Sequence, residues 1–332
     1  MKKIIIMLMV LCTLISGIGV LTACSDSQKN NDKIKIVTTV FSEYDWTMSV
    51  LGDKKDNADV TLLLDSGADL HSYQPTVADI AKVATCDLFI YVGGESDEWV
   101  DDALKNATNK NMIVINLLET LGDKAKEEEL VEGMQGEEHD HEEGEEHNGE
   151  EEETEYDEHV WLSLKNAVIF VNEIASALGK IDKENASAYE SNAKDYIGKL
   201  SALDNQFEEA VAAATTKTLL FGDRFPFRYL VDDYGISYYA TFVGCSAETE
   251  ASFETIVFLS GKVDELGLTA ILKIESSDGS IAQTIKNNTN GKNQKILTMD
   301  SLQSATKNEY VVGRTYLKVM QDNLAVLTEA LG

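Results

Sequence analysis

The stretch that decides the fold covers residues 182–213 and reads DKENASAYESNAKDYIGKLSALDNQFEEAVAA. Asp182 is a favourable N-cap, and Glu184 places a negative charge in the first helical turn. The apolar residues recur at steps of three or four, which is the spacing of one face of an α-helix. These residues are Ala186, Tyr189, Ala193, Tyr196, Leu200, Leu203, Phe207 and Val211. The pattern predicts a helix of about 30 residues, which at 1.5 Å per residue would be roughly 45 Å long.

Short β-rich runs alternate with helical patterns on both sides of this helix. Before it, the predicted strands are 33–40, 58–64, 88–92 and 112–116. After it, the predicted strands are 218–221, 236–242, 270–274 and 295–298. Strands that alternate with helices indicate parallel βα units. We therefore predict an α/β fold with two lobes, each with a mostly parallel β-sheet flanked by helices, joined by a long rigid backbone helix.

The first 23 residues have the pattern of an export signal. Lys2 and Lys3 precede a nearly apolar run at 4–21, and small residues then lead to Cys24. A basic start, an apolar stretch and a small-residue cleavage site are typical of a secretory signal peptide. An uncleaved membrane anchor is the alternative, because the run approaches spanning length. The site resembles a bacterial lipobox, which implies a lipid on Cys24 and attachment to the outer face of the cell membrane.

The mature chain is expected to divide into four parts. Residues 24–32 are a flexible tether, since they are rich in Ser, Asn, Asp and Lys. The other parts are an N-terminal α/β lobe at 33–163, a linking helical region at 164–213 and a C-terminal α/β lobe at 214–332. Within the first lobe, the Glu-dominated segment at about 127–156 is predicted to be disordered, because it cannot bury enough apolar surface. The disordered segment holds three histidines, which are His139, His141 and His147.

Charge and cysteine content narrow the function. The net charge of −30 excludes nucleic acid as a partner, which needs a basic surface, and it favours cations. Outside the signal and Cys24, the cysteines are Cys86 and Cys245. They could pair in an oxidising compartment. Their apolar surroundings favour two buried free thiols instead, and the lack of a Cys-x-x-Cys motif argues against a thiolate metal site.

Two histidines outside the acidic segment lie in polar turns beside predicted elements. His71 follows the strand at 58–64, and ligands of α/β sheets bind beyond the carboxyl ends of strands. His159 lies immediately before the linking helical region. A lone histidine is more often a structural residue. Two in such turns, together with a histidine-rich segment, indicate a metal site, because neutral imidazole is a common metal ligand.

Both histidine segments resemble ligand motifs of one family, the substrate-binding lipoproteins of ABC importers for zinc and manganese. HSYQPT at 71–76 resembles the first motif, and DEHVWL at 157–162, after an acidic histidine-rich loop, resembles the second. The stretch 181–193 is similar to the family's backbone helix. The resemblance implies two lobes with one metal between them, and no enzyme activity. It also implies delivery to an importer permease and its ATPase, and we expect a monomer.

The third and fourth ligands are less clear from the sequence. Zinc members carry a histidine and manganese members a glutamate after the first strand of the second lobe, whereas this chain offers Asp223. Asp223 could instead pair with Arg224 or Arg228. Asp300 matches the family's aspartate, and Glu275 is its competitor, although a place at a hinge or behind the ligands is favoured for Glu275. The predicted ligands are His71, His159, Asp223 and Asp300.

Two imidazoles and two carboxylates form a mixed nitrogen and oxygen set. It suits Zn²⁺, while carboxylates also suit Mn²⁺. The histidine-rich segment favours zinc, and manganese or iron is the alternative cargo. A metallohydrolase would need an open metal position and a base, and the chain has no His-Glu-x-x-His motif. A surface adhesin that uses metal only for structure is the other alternative.

Overall fold

The strands of this protein form two parallel sheets. The computed structural model describes residues 33–136, 155–246 and 250–332. Within these ranges the first sheet has the order β2-β1-β3-β4 and the second the order β6-β5-β7-β8, so both lobes repeat one strand order. In the first lobe the strands are β1 (Ile34–Thr38), β2 (Ala58–Leu62), β3 (Leu88–Tyr91) and β4 (Ile113–Asn116). In the second lobe they are β5 (Thr218–Phe225), β6 (Ser237–Val243), β7 (Ala270–Ile274) and β8 (Lys295–Met299).

Helices alternate with these strands, which confirms the predicted fold class. Before the second sheet they are α1 (Phe41–Leu51), α2 (Val77–Thr85), α3 (Trp99–Lys105), α4 (Leu117–Leu121), α5 (Leu164–Ile181) and α6 (Ala186–Ala213). After β5 they are α7 (Arg228–Tyr234), α8 (Phe253–Leu266), α9 (Ser280–Asn288), α10 (Lys307–Val311) and α11 (Tyr316–Leu331). In the described ranges no helix combines the length and the apolar character that crossing a membrane requires.

The long helix α6 links the two lobes and buries one face. It begins four residues after the predicted N-cap, because Asp182 ends α5 instead. The Asp182 carboxylate accepts hydrogen bonds from Asn185 Nδ2 at 2.7 Å and from the Tyr189 hydroxyl at 2.8 Å, which fixes the turn between the helices. The buried side chains of α6 lie on the predicted face and are Tyr189, Ala193, Tyr196, Leu200, Leu203, Phe207 and Val211.

Strand β5 continues beyond its predicted end at residue 221. Its pairing register with β6 shifts between Phe221 and Arg224, so a bulge interrupts the ladder there. Asp223 lies in this bulge. Its carboxylate accepts the backbone N–H of Arg224 at 2.9 Å and that of Ile274, in β7, at 3.1 Å. Asp223 therefore lies within the sheet and not in a loop beyond it.

The first part of the acidic segment is ordered, so the prediction of disorder is wrong for residues 127–136. Glu127 pairs with Tyr156 in an antiparallel bridge, and the N–H of Gln135 donates to the carbonyl of Thr241 in β6 at 2.9 Å. Val131 and Met134 pack against the core. These apolar contacts offset the entropy lost when the segment becomes ordered, which its acidic residues alone could not offset. Residues 137–154 lie outside the described ranges.

Hydrogen bonds around Trp161 connect the two lobes just after His159. The buried Trp161 indole N–H donates to the carbonyl of Ser301, beyond β8, at 2.9 Å. The Tyr316 hydroxyl, at the start of α11, donates to the Trp161 carbonyl at 2.7 Å. The segment that follows His159 is thereby held by second-lobe elements.

Candidate metal centre

The side chains of His71 and His159 meet between the lobes. His71 lies in the short turn Leu70–Ser72 after β2, and its backbone N–H donates to Asp69 Oδ1 at 3.1 Å. The backbone N–H of His159 donates to Asp157 Oδ1 at 2.8 Å. Each histidine is thus fixed by an aspartate two residues earlier. The Nε2 atoms of the two rings are 3.2 Å apart.

Carboxylates on the far side of each ring determine which nitrogen is free. Asp157 Oδ1 lies 3.0 Å from His159 Nδ1 and accepts its N–H. Near His71 Nδ1 lie Ser96 Oγ at 2.9 Å and Glu158 Oε2 at 3.4 Å. A carboxylate that holds Nδ1–H orients the ring and leaves a lone pair on Nε2. The tautomers assigned from these contacts direct two lone pairs at each other, which is favourable only with a cation or a proton between them.

The thiol of Cys245 lies beside the two rings and is a third group that could bind a metal ion. Cys245 lies two residues after the carboxyl end of β6. Within the described ranges, His71, His159 and Cys245 form a group whose donor atoms all lie within 4.8 Å of one another. In a tetrahedral zinc shell, with Zn–N of about 2.0–2.1 Å and Zn–S of about 2.3 Å, donors lie roughly 3.3–3.6 Å apart. A contraction of up to roughly 1.2–1.5 Å would bring the group to this spacing.

Gly244 allows this close approach. A Cβ added to Gly244 would lie 2.9 Å from His159 Cε1 and 3.0 Å from both His159 Nδ1 and the Phe225 carbonyl oxygen. Carbon atoms at this separation overlap, so a larger residue would displace the His159 ring or the loop. The sequence therefore requires glycine beside the thiol for geometric reasons.

Buried carboxylates surround the three donors. Glu158 is 2% exposed, and its Oε2 faces His71 Nδ1 at 3.4 Å. Burial alone would raise the pKa of Glu158, but the neighbouring His71 and Ser96 lower it overall. Burial, followed by the charges of Asp157, Glu128 and Glu158, raises the pKa of the Cys245 thiol. This negative environment attracts a cation and disfavours a bare thiolate.

The structure brings neither Asp223 nor Asp300 into this group. Asp300 Oδ1 and Oδ2 accept hydrogen bonds from Arg314 Nη2 at 2.9 and 2.7 Å. Burial, and then the charge of Glu275, raise the pKa of Asp300 to about 6. Glu275 accepts from the backbone N–H of Ser301 at 2.7 Å and from its hydroxyl at 2.9 Å. The ligand roles of Asp223 and Asp300 stay predictions.

Arg224 connects the two loops that carry His71 and Cys245. Its Nη2 lies 2.6 Å from Asp69 Oδ2, and its Nη1 donates to the Ser246 carbonyl at 3.3 Å. Burial would raise the pKa of Asp69, but the Arg224 charge and hydrogen bond hold it below its usual value. The alternative was that Asp223 pairs with Arg224 or Arg228. In the structure the Arg224 side chain pairs with Asp69 instead, and the Arg228 side chain pairs with Glu129 at 3.2 Å.

The two cysteines of the described ranges are both free, so Cys86 and Cys245 do not pair. Cys86 is buried, and its thiol donates to the Val83 carbonyl at 3.2 Å. Burial raises the pKa of Cys86 to about 12. Cys245 is only half-buried, so the prediction of two buried free thiols is correct for Cys86 but not for Cys245. Cys24 and the three histidines His139, His141 and His147 lie outside the described residues.

Two α/β lobes of one strand order, a connecting helix and a converging set of cation donors define a two-lobed solute-binding protein. The chain belongs to the ZnuA family, described as zinc-uptake complex component A, periplasmic, whose profile matches residues 36–330. This match confirms the resemblance recognised in the sequence. The family's description is that of an uptake component and not of an enzyme.

Individual relatives agree with this assignment. The chain is 31% identical over 329 residues to the zinc-binding lipoprotein AdcA of Streptococcus pneumoniae, covering 99% of this chain and 61% of AdcA. It therefore spans about three-fifths of that relative. It is 30% identical over 329 residues to the high-affinity zinc uptake protein ZnuA of Bacillus subtilis, covering 95% and 97%. The Zn(II)-bound ZnuA-like domain of S. pneumoniae AdcA superposes with a TM-score of 0.69 at 27% identity, covering 90% and 99%.

Proposed function

We propose that this protein captures zinc between its lobes and delivers it to an ABC-type membrane importer. The observation that carries the proposal is the convergence of His71 Nε2 and His159 Nε2 at 3.2 Å, with carboxylates on their Nδ1 sides. Imidazole donors suit zinc, whereas manganese favours carboxylate, carbonyl and water oxygens. The zinc-related names of the relatives support the same cargo.

The proposed function also requires an importer as partner and a location at the membrane. Relatives named as zinc-uptake components and lipoproteins support a permease and its ATPase as partners. A lipid on Cys24 would hold the protein on the extracytoplasmic face of the membrane, beside that permease. One acyl group gives only marginal membrane binding and two signals give stable binding, so more than one chain on Cys24 is expected.

The acidic segment extends the capture of zinc. We assign to His139, His141 and His147, among many glutamates, a set of weak additional sites. Such sites raise the zinc concentration close to the two lobes, because a tethered donor acts at a high effective concentration. Replacing the three histidines with alanine should reduce the number of zinc ions bound at saturation and leave one tight site.

The test of the central proposal is calorimetric titration of His71→Ala and His159→Ala with zinc. Each variant should lose tight binding, because an incomplete donor set remains, while its circular dichroism spectrum stays native. Asp223→Ala and Asp300→Ala are matched comparisons. If these two variants lose zinc and the histidine variants retain it, the carboxylates hold the metal and the proposed site is wrong.

A second measurement separates carriage from a structural role. Zinc that a chelator removes without loss of helical signal indicates a cargo that is exchanged. Zinc that leaves only on unfolding indicates metal used for structure, as in the adhesin alternative. Titration with manganese under the same conditions tests the alternative cargo, and tighter binding of manganese would overturn the assignment to zinc.

A further inference from the structure

We propose that the Cys245 thiolate is the third metal ligand, so that the cargo is held by two imidazoles and one sulfur. This inference rests on the proposed function and deepens it, because it names the class of cation that the site prefers. A soft thiolate favours thiophilic ions such as Zn²⁺ and Cd²⁺ over Mn²⁺.

Position is the first argument for Cys245. The Cys245 Sγ atom and one ring nitrogen each of His71 and His159 lie within 4.8 Å of one another, at the carboxyl end of β6. Ligands of parallel sheets bind beyond such strand ends. The free thiol is half-buried and can lose its proton to solvent when a cation binds, as cysteine ligands do.

The engagement of the carboxylates is the second argument. Each oxygen of Asp223 already accepts a backbone N–H inside the sheet, from Arg224 and from Ile274. Both oxygens of Asp300 accept hydrogen bonds from Arg314. Turning either carboxylate toward the histidines would take the acceptor away from these donors, which is unfavourable for partly or fully buried groups. The thiol needs only a small movement.

The third argument is that a separate contact holds the Cys245 loop in place. Arg224 donates to the carbonyl of Ser246, the residue after Cys245, and pairs with Asp69, two residues before His71. One guanidinium therefore fixes the thiol-bearing loop of the second lobe against the histidine-bearing turn of the first. A donor set that is preorganised in this way loses less conformational entropy when it binds a cation.

The closing experiment uses cobalt as a spectroscopic substitute for zinc in the full chain. Cobalt bound by thiolate absorbs in the near ultraviolet through sulfur-to-metal charge transfer, whereas the weaker visible bands are d–d transitions of the cobalt ion itself and do not require a sulfur ligand. The wild type should show both features, and Cys245→Ser should keep the visible bands and lose the charge-transfer band. Cys86→Ser is the matched control, because it removes a buried thiol elsewhere, and should show both features.

Selectivity and alkylation give two further readouts. Cys245→Ser should weaken zinc binding by more than the roughly 10- to 100-fold that loss of an outer partner costs, and should leave manganese binding nearly unchanged. In the wild type, zinc should protect the Cys245 peptide from iodoacetamide, and this readout needs no variant to fold. A charge-transfer band that persists in Cys245→Ser, or equal alkylation with and without zinc, overturns the ligand assignment. If the wild type binds neither cobalt nor zinc, the proposed function itself is refuted.

Discussion

Replacing Asp45 with asparagine should change how the stability of this protein depends on pH. Asp45 lies in α1, is 2% exposed, and accepts at Oδ2 the hydroxyl of Tyr196 at 3.1 Å and the N–H of Tyr316 at 3.2 Å. Those partners belong to α6 and α11, so one carboxyl joins three helices. Burial raises the pKa of Asp45 to about 6, against the two hydrogen bonds that lower it.

The direction of the effect follows from linkage between protonation and folding. An unfolded aspartate has a pKa of about 3.9, so the folded state holds its proton more tightly. The stabilising contribution of protonated Asp45 is fully present below about pH 4 and is lost as the pH rises through about 6. One pKa unit corresponds to 1.36 kcal/mol, so the loss between pH 4 and pH 8 is on the order of 3 kcal/mol.

The assay is urea unfolding of the wild type and Asp45→Asn at pH 4 and pH 8. Asparagine offers a carbonyl oxygen to the same two donors and carries no charge. The free energy of unfolding of Asp45→Asn relative to the wild type should therefore rise by about 3 kcal/mol from pH 4 to pH 8. Asp123→Asn, at an exposed position, is the control and should show no such rise. A difference that changes by less than about 1 kcal/mol would refute the reasoning.

Three glycines give further predictions. Gly222→Ala should lower the free energy of unfolding by about 2 kcal/mol or more, because the added Cβ would lie 2.5 Å from the Ala282 backbone. Thermal unfolding measures the change in stability. Gly198→Ala, in the exposed interior of α6 with nothing within 4 Å of the added Cβ, should raise it by about 0.5–1 kcal/mol in the same assay. Gly244→Ala should weaken zinc binding by about tenfold in calorimetry by displacing the His159 ring, and unchanged affinity would contradict the close contact.

The sequence predicts the fold well because its signals are local. The apolar face of α6 is a property of consecutive turns, and each βα unit carries its own alternation of patterns. The start of α6 is misplaced because Asp182 has two uses, as a cap for the following helix or as an acceptor at the end of α5. The hydrogen bonds that the Tyr189 hydroxyl and the Asn185 side-chain amide donate to the Asp182 carboxylate select the second use.

The candidate site is predicted less completely because its third donor depends on sheet order. His71 and His159 are recognisable from their own neighbours in the chain. Cys245 becomes a donor only because β6 is an edge strand of the second sheet whose carboxyl end faces the His71 turn. Its sequence signal is the Gly-Cys-Ser turn after a strand. Asp223 attracted the prediction because the bulge that extends β5 is not visible in the sequence.

The exposure of the donors determines the order in which a cation meets them. The His71 side chain is 12% exposed, whereas that of His159 is completely buried. A cation from solvent therefore reaches His71 and the half-buried Cys245 before His159. His159 is also the most rigidly held donor, because Asp157 accepts from both its backbone and its ring, and the adjacent Trp161 is bonded to the second lobe. A hydrated ion can therefore exchange its waters stepwise, first for the accessible donors of His71 and Cys245 and then for the imidazole of His159. Because His159 moves least, its position sets the geometry of the final coordination shell.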